Sequence, residues 1–169
     1  MIRNYQIIIT LLAFNISVET QAAATPLFQD EKPLKLVLET DMAALVSDKS
    51  DNPEYTTGRL ISYLEDQKID FYEIKVRARG KTRRLYDLCN FPPLKINFKK
   101  SEVKNTVFEG QDKLKLVIQC KDEVGFRNYL LEEYMIYKVY NQLTEQSYRV
   151  RLVEIIIKDT KRTMSAMSF

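Results

Sequence analysis

The period of the apolar residues changes twice along this chain, and no other feature constrains its fold as much. From Leu34 to about Gln119 apolar residues recur at every second position. From about Val124 to Leu143 they recur every 3.6 residues. From Arg149 the period of two returns. Neither an all-helical bundle nor a sheet alone satisfies that pattern. It asks for one long helix laid on a sheet that a late strand rejoins. At 169 residues, 45% hydrophobic and 29% charged, the chain suffices for one modest globular domain.

The strands read as follows. Leu34, Leu36 and Leu38 alternate with Lys35, Val37 and Glu39. Residues 47–58, rich in Ser, Asp, Asn, Pro and Gly, form a loop, and 59–64 a second strand. After a turn at 66–68, residues 69–79 are the longest strand candidate. Ile74, Val76 and Ala78 share one face, Lys75, Arg77 and Arg79 the other, and Gly80 ends it. Pro92 and Pro93 open a strand at 94–98, which prolines tolerate at a first position. A turn at 110–112 precedes a strand at 114–119, and a final strand spans 149–157. Between them Asp122 caps a helix over 124–143. Its Phe126, Tyr129, Leu130, Tyr134, Ile136, Tyr137 and Tyr140 fall within about 160° of arc, which predicts a core-facing stripe about 30 Å long. The expected fold is α+β: a mostly antiparallel sheet of about five to six strands packed on one long helix. It forms a single domain over 25–158, with an irregular tail at 159–169.

The N-terminus has the order of a secretory signal peptide: Arg3, an apolar run at 7–14, then Ala22-Ala23-Ala24 as a cleavage site. That run is too short for a membrane span, which needs about 20 residues. No later segment is apolar and long enough to span. The expectation is an exported protein, periplasmic or extracellular, cleaved after about Ala24. Export bears on Cys89 and Cys120, which an oxidising compartment pairs; the alternative is two buried free thiols. The bridge would close about 30 residues, worth roughly 3–4 kcal/mol in the chain-entropy model.

Composition excludes much chemistry. With no His, Ser-His-Asp triads and His metal sites are absent, and two Cys cannot make a four-thiolate zinc site. The net charge of +3 and the absence of any binding motif argue against nucleic acid. No catalytic residue and no metal ligand set is identified. The concentration of cations at 75–84 stands out: Lys75, Arg77, Arg79, Lys81, Arg83 and Arg84, with no acid among them. Alternation puts the first three on one strand face, about 6.6–6.8 Å apart. Guanidinium forks suit phosphate, sulfate or carboxylate groups; the alternative is a solvated face paired with acids on neighbouring strands. Gly80-Lys81-Thr82 matches only the end of a Walker A loop. Glu133 falls inside the helix's apolar arc. It is either a buried carboxylate paired to the basic strand or to Lys95, or an edge residue reaching water. The helix tyrosines read as packing.

Several segments in order carry a resemblance. These are Arg77-Ala78-Arg79-Gly80-Lys81-Thr82-Arg83, Pro93-Leu94-Lys95-Ile96-Asn97-Phe98, Leu114-Lys115-Leu116-Val117, Phe126-Arg127-Asn128-Tyr129-Leu130-Leu131 and Arg149-Val150-Arg151-Leu152-Val153-Glu154. Over about residues 70–158 the chain resembles the N-terminal half of the spore-coat protein H (CotH) kinase-like family. It is also similar to exported bacterial proteins of that general pattern with no assigned activity. The resemblance implies a kinase-like N-lobe using ATP and a divalent metal such as Mg. It would turn Arg77, Arg79 and Lys95 toward nucleotide phosphates, with Glu133 as the helix carboxylate that orients a cation. The family's Asn-Gly-x-Tyr-x-Gly stretch and its downstream Asp residues have no counterpart here, which removes the expected metal ligands.

Three functions remain open at this level. The chain is a truncated or divergent non-catalytic relative of the kinase-like family that binds an anionic ligand through Arg77, Arg79, Lys81, Arg83, Lys95 and Glu133. Or it is an extracytoplasmic structural or protein-interaction module without nucleotide binding. Or it is a phosphotransferase completed by another chain.

Overall fold

The computed structural model describes residues 26–64, 67–85 and 88–169; the signal peptide read at 1–24 lies outside them, as does part of the turn read at 66–68. The fold is α+β. Seven strands, β1 (Leu34–Thr40), β2 (Thr56–Leu64), β3 (Gln67–Ala78), β4 (Leu94–Phe98), β5 (Lys113–Leu116), β6 (Val153–Asp159) and β7 (Met167–Ser168), make one sheet. Among the described residues three helices accompany it: α1 (Met42–Ser47), α2 (Thr82–Leu85) and α3 (Val124–Leu143). The strand order is β5-β4-β3-β2-β1-β6-β7. Every neighbouring pair is antiparallel except β1 with β6, where Leu34 lies opposite Val153 and Thr40 opposite Asp159 in a parallel ladder. The sheet is therefore mixed and one strand larger than expected.

Alternation along the strands sorts their residues onto two faces. Leu36, Leu38, Leu60, Tyr72, Ile74, Val76, Leu94, Ile96, Phe98, Ile155 and Ile157 form the buried face. What covers it differs from expectation. Leu27 from a short 3₁₀ turn, Met42 and Leu45 of α1, and Val103 and Phe108 from the β4–β5 connection close the core. The Phe108 ring stacks on Phe98 at 4.9 Å and meets the edge of Tyr72 at 5.1 Å. The polar residues of 99–112 thus carry two core side chains, and the strand period gives no hint of it.

α3 has the bounds expected of it, but none of its residues is buried and none belongs to the core. Asp122 does not cap it. Glu123 occupies the cap position without a side-chain bond, while Asp122 accepts a hydrogen bond from Gln119. The core-facing stripe is corrected accordingly. Phe126, Leu130, Tyr134 and Tyr137 are partly covered, whereas Tyr129, Ile136 and Tyr140 are more than half exposed. The reason is topological. β5 lies at one edge, and β6 lies five positions away beyond β1. At about 4.8 Å per strand that is about 24 Å, and a 20-residue helix spans about 30 Å. α3 is the crossover that returns the chain across the sheet, and α1 and the loops have already filled the apolar face.

The C-terminal stretch, read as irregular, ends in β7, and Phe169 exchanges both backbone hydrogen bonds with Ile155. At the other end Arg151, its side chain 7% exposed, donates to the carbonyls of Leu27 and Lys32 and to Asp30. This clamps residues 27–32 to the start of the late strand. Cys89 and Cys120 form a disulfide, as the sequence led us to expect.

Candidate anion-binding site

The site is built where β3 ends. Ladder pairing brings strands together whose cations were separate in sequence: Arg77 lies opposite Lys95, and Lys95 opposite Lys115. Three cations thus stand in one row across β3, β4 and β5, on the face away from the core. Like charges directly opposite in a sheet repel. Aromatic rings relieve the two ends of the row. The Arg77 guanidinium lies 5.0 Å from the Tyr55 ring centroid, and Lys115 Nζ 4.1 Å from that of Tyr148. Lys95, in the middle and half-buried, makes no ion pair with any described residue. Lys115 and Tyr148 extend the row that sequence reasoning proposed. Tyr148 also meets Tyr137 of α3, so the helix approaches the sheet over this charged face.

Beyond the row the backbone turns sharply. Arg79 N–H donates to the Pro93 carbonyl at 2.8 Å, the last rung between β3 and the β4 approach. Gly80 follows with φ +77°, a left-handed conformation that a side chain would strain, and with nothing within 4 Å of where a Cβ would sit. Arg84 fixes the turn from below. It is 4% exposed, and donates from Nε to the Gly80 carbonyl at 3.2 Å and from Nη1 to the Asp48 carbonyl at 2.9 Å. Of the six cations at 75–84, this one is therefore structural. Asp48 holds the opposite loop by accepting from the Ser50 hydroxyl, the Ser50 N–H and the Glu54 N–H. The Ser50 hydroxyl, followed by these backbone donors, holds its carboxyl below the ordinary range.

Two pockets flank the turn. The first, about 270 Å³, is lined by Arg79, Lys81, Thr82, Arg83, Pro93, Val117 and, from α3, Glu133. The second, about 230 Å³, is lined by Arg77, Arg79, Lys81 and Arg84 with residues 51–53. Arg77 reaches Asn52 and the Pro53 carbonyl at 3.5 Å, while its buried Nε has no acceptor. Of the residues expected to act together, the structure gathers Arg79, Lys81, Arg83 and Glu133 around the first pocket. It places Arg77 at the second and leaves Lys95 beside Arg77 in the ladder but outside both. None of Arg79, Lys81, Arg83 or Glu133 makes an ion pair with a described residue. Of the two expectations for Glu133, a direct ion pair is thus not formed; the carboxylate is half-buried and faces the cations across the pocket.

Among the described residues no group of three or more thiolates or carboxylates could hold a metal ion. The divalent metal that the kinase-like resemblance implies finds no such donor set among the described residues. No helix among the described residues is long and apolar enough to cross a membrane. No family model, curated protein or solved structure matches this chain.

Proposed function

We propose that this chain is an exported anion-binding module whose ligand carries phosphate, sulfate or carboxylate groups. One observation carries the reading: Arg79, Lys81 and Arg83, none ion-paired with a described residue, line one pocket at a turn that buried Arg84 hydrogen-bonds to the Asp48 carbonyl. Unpaired cations held close together repel, so an oxyanion that bridges them gains both hydrogen bonds and relief of that repulsion. The Cys89–Cys120 disulfide supports export, because such bonds persist in oxidising compartments.

A second reading, a kinase-like N-lobe completed by another chain, draws on a long helix that brings a carboxylate, Glu133, to the cations after β3, much as a helix carboxylate in kinases pairs the lysine that holds nucleotide phosphates. On this reading ATP binds in a magnesium-dependent manner. On the anion-module reading magnesium only weakens binding by competing for the ligand.

Titration calorimetry of the full chain against inorganic phosphate, tripolyphosphate and ATP, each with and without magnesium, separates these. We expect binding that weakens steeply with salt and falls at least tenfold in the Arg79→Ala/Lys81→Ala double variant. No binding to any of the three anions at low salt sinks the proposal and leaves a structural or protein-interaction module.

A further inference from the structure

α3 carries apolar residues on both sides. Opposite the partly covered Phe126, Leu130, Tyr134 and Tyr137 runs a second stripe: Val124, Leu131, Met135, Ile136, Val139 and Leu143. At 100° per residue these six lie within about 140° of arc. They are 39–79% exposed, Val124 and Leu143 at 79% and 75%. Three exposed polar residues, Asn128, Glu132 and Gln142, are set within the same arc, and the rest of it is apolar surface that no described residue buries. The exposed stripe comes to something on the order of 600 Å², the upper end of what a monomer leaves open.

We propose that this stripe pairs antiparallel with the same stripe of a second copy. Together with Asn128, Glu132 and Gln142, exposed within the same arc, it approaches the roughly 800 Å² per partner that a stable association buries. A single helix face is self-complementary about a two-fold axis, so one stripe serves both partners. An axis near Met135 sets Leu131 against Val139 of the other copy. It also separates the two Glu132 carboxylates by six residues, about 9 Å along the axis, so they do not oppose each other. The anion pocket lies on the sheet side of α3 and stays open in such a pair. The pairing stands whether or not the pocket binds an anion.

Sedimentation equilibrium of the full chain across the micromolar range tests this, with circular dichroism to confirm folding. We expect the two-chain mass for the unaltered chain and the one-chain mass for Met135→Glu/Val139→Lys with an unchanged spectrum. Should that variant unfold, Met135→Cys decides: it forms a covalent pair on mild oxidation only if the two stripes face each other. A one-chain mass at every concentration overturns the proposal, including where phosphatidylcholine vesicles added in parallel take up the chain, which would make the stripe a lipid-binding face. A two-chain mass that survives the double substitution overturns it as well, since another surface then makes the pair.

Discussion

Asp159, the last residue of β6, accepts the backbone N–H of Met42 at 3.0 Å, tying the first turn of α1 to a residue 117 positions later. Its other oxygen accepts from the Thr163 hydroxyl and N–H, both at 2.8 Å, and from the Met164 N–H at 3.2 Å. The Thr163 hydroxyl, with the backbone donors behind it, holds the carboxyl down to about 2, from an ordinary value of 3.8. A carboxylate depressed in the folded state contributes stability that is fully present above about pH 4 and lost as the pH falls toward 2. Asp159→Asn should therefore lower the melting temperature at pH 7. It should also flatten the dependence of stability on pH between 4 and 2, as followed by thermal melts. An unchanged acid slope would place the acid-labile group elsewhere.

Arg84 is expected to matter for stability more than for contact with a ligand. Arg84→Ala leaves the carbonyls of Gly80 and Asp48 without their donor and empties a buried site, at a cost of about 2–3 kcal/mol in urea unfolding. Because the turn loosens, and because Arg84 also lines the second pocket, anion affinity should fall as well. A loss below about 0.5 kcal/mol would mean that the turn holds without it.

Glu133 predicts a gain. Its carboxylate faces Arg79, Lys81 and Arg83 without pairing, so it repels an incoming anion. Glu133→Gln should tighten inorganic phosphate binding roughly three- to tenfold at low salt, and less at high salt. Its effect on folding stability should stay within about 0.5 kcal/mol. Weaker binding in Glu133→Gln would instead assign the carboxylate a direct contact with the ligand.

The Cys89–Cys120 bridge joins the segment after α2 to the approach of α3, across a sequence separation of 31. Its reduction should cost roughly 3–4 kcal/mol by the entropy of the opened loop. Urea titrations with and without reductant measure this. The Cys89→Ser/Cys120→Ser variant should reproduce the reduced curve and ignore reductant.

Gly58 sits in β2 opposite Thr40, where a Cβ would come within 2.9 Å of the Glu39 carbonyl oxygen and 3.2 Å of the Thr40 side chain. Thr40 is fully buried, and its hydroxyl donates to the Thr57 carbonyl, so it has little room to move. Gly58→Ala should cost about 1–3 kcal/mol. Gly80→Ala, with open space around it, should cost about 1 kcal/mol from its positive φ alone.

Local pattern and pairing divide the origins of this fold. Alternation marks β1 and β4 at their observed ends, and the period of 3.6 marks α3 at its own, because each depends only on residues a few positions apart. The density of cations at 75–84 and the suitability of two cysteines for pairing were legible for the same reason. What covers the apolar face was not. Phe108, Val103 and Leu27 come from segments without period, and α3, amphipathic on one reading, also exposes apolar residues among polar ones on its other side. Nor could the site be composed from sequence. The opposition of Arg77, Lys95 and Lys115 is a matter of register between strands, Glu133 arrives on a crossover helix, and Arg84 is buried while Lys81, Thr82 and Arg83 are exposed. Periodicity by itself determined which segments are strands and helix and where charge gathers. Only long-range strand order decided which cations meet and which face of α3 is left uncovered, since hydrogen-bond register acts between residues that the sequence holds far apart.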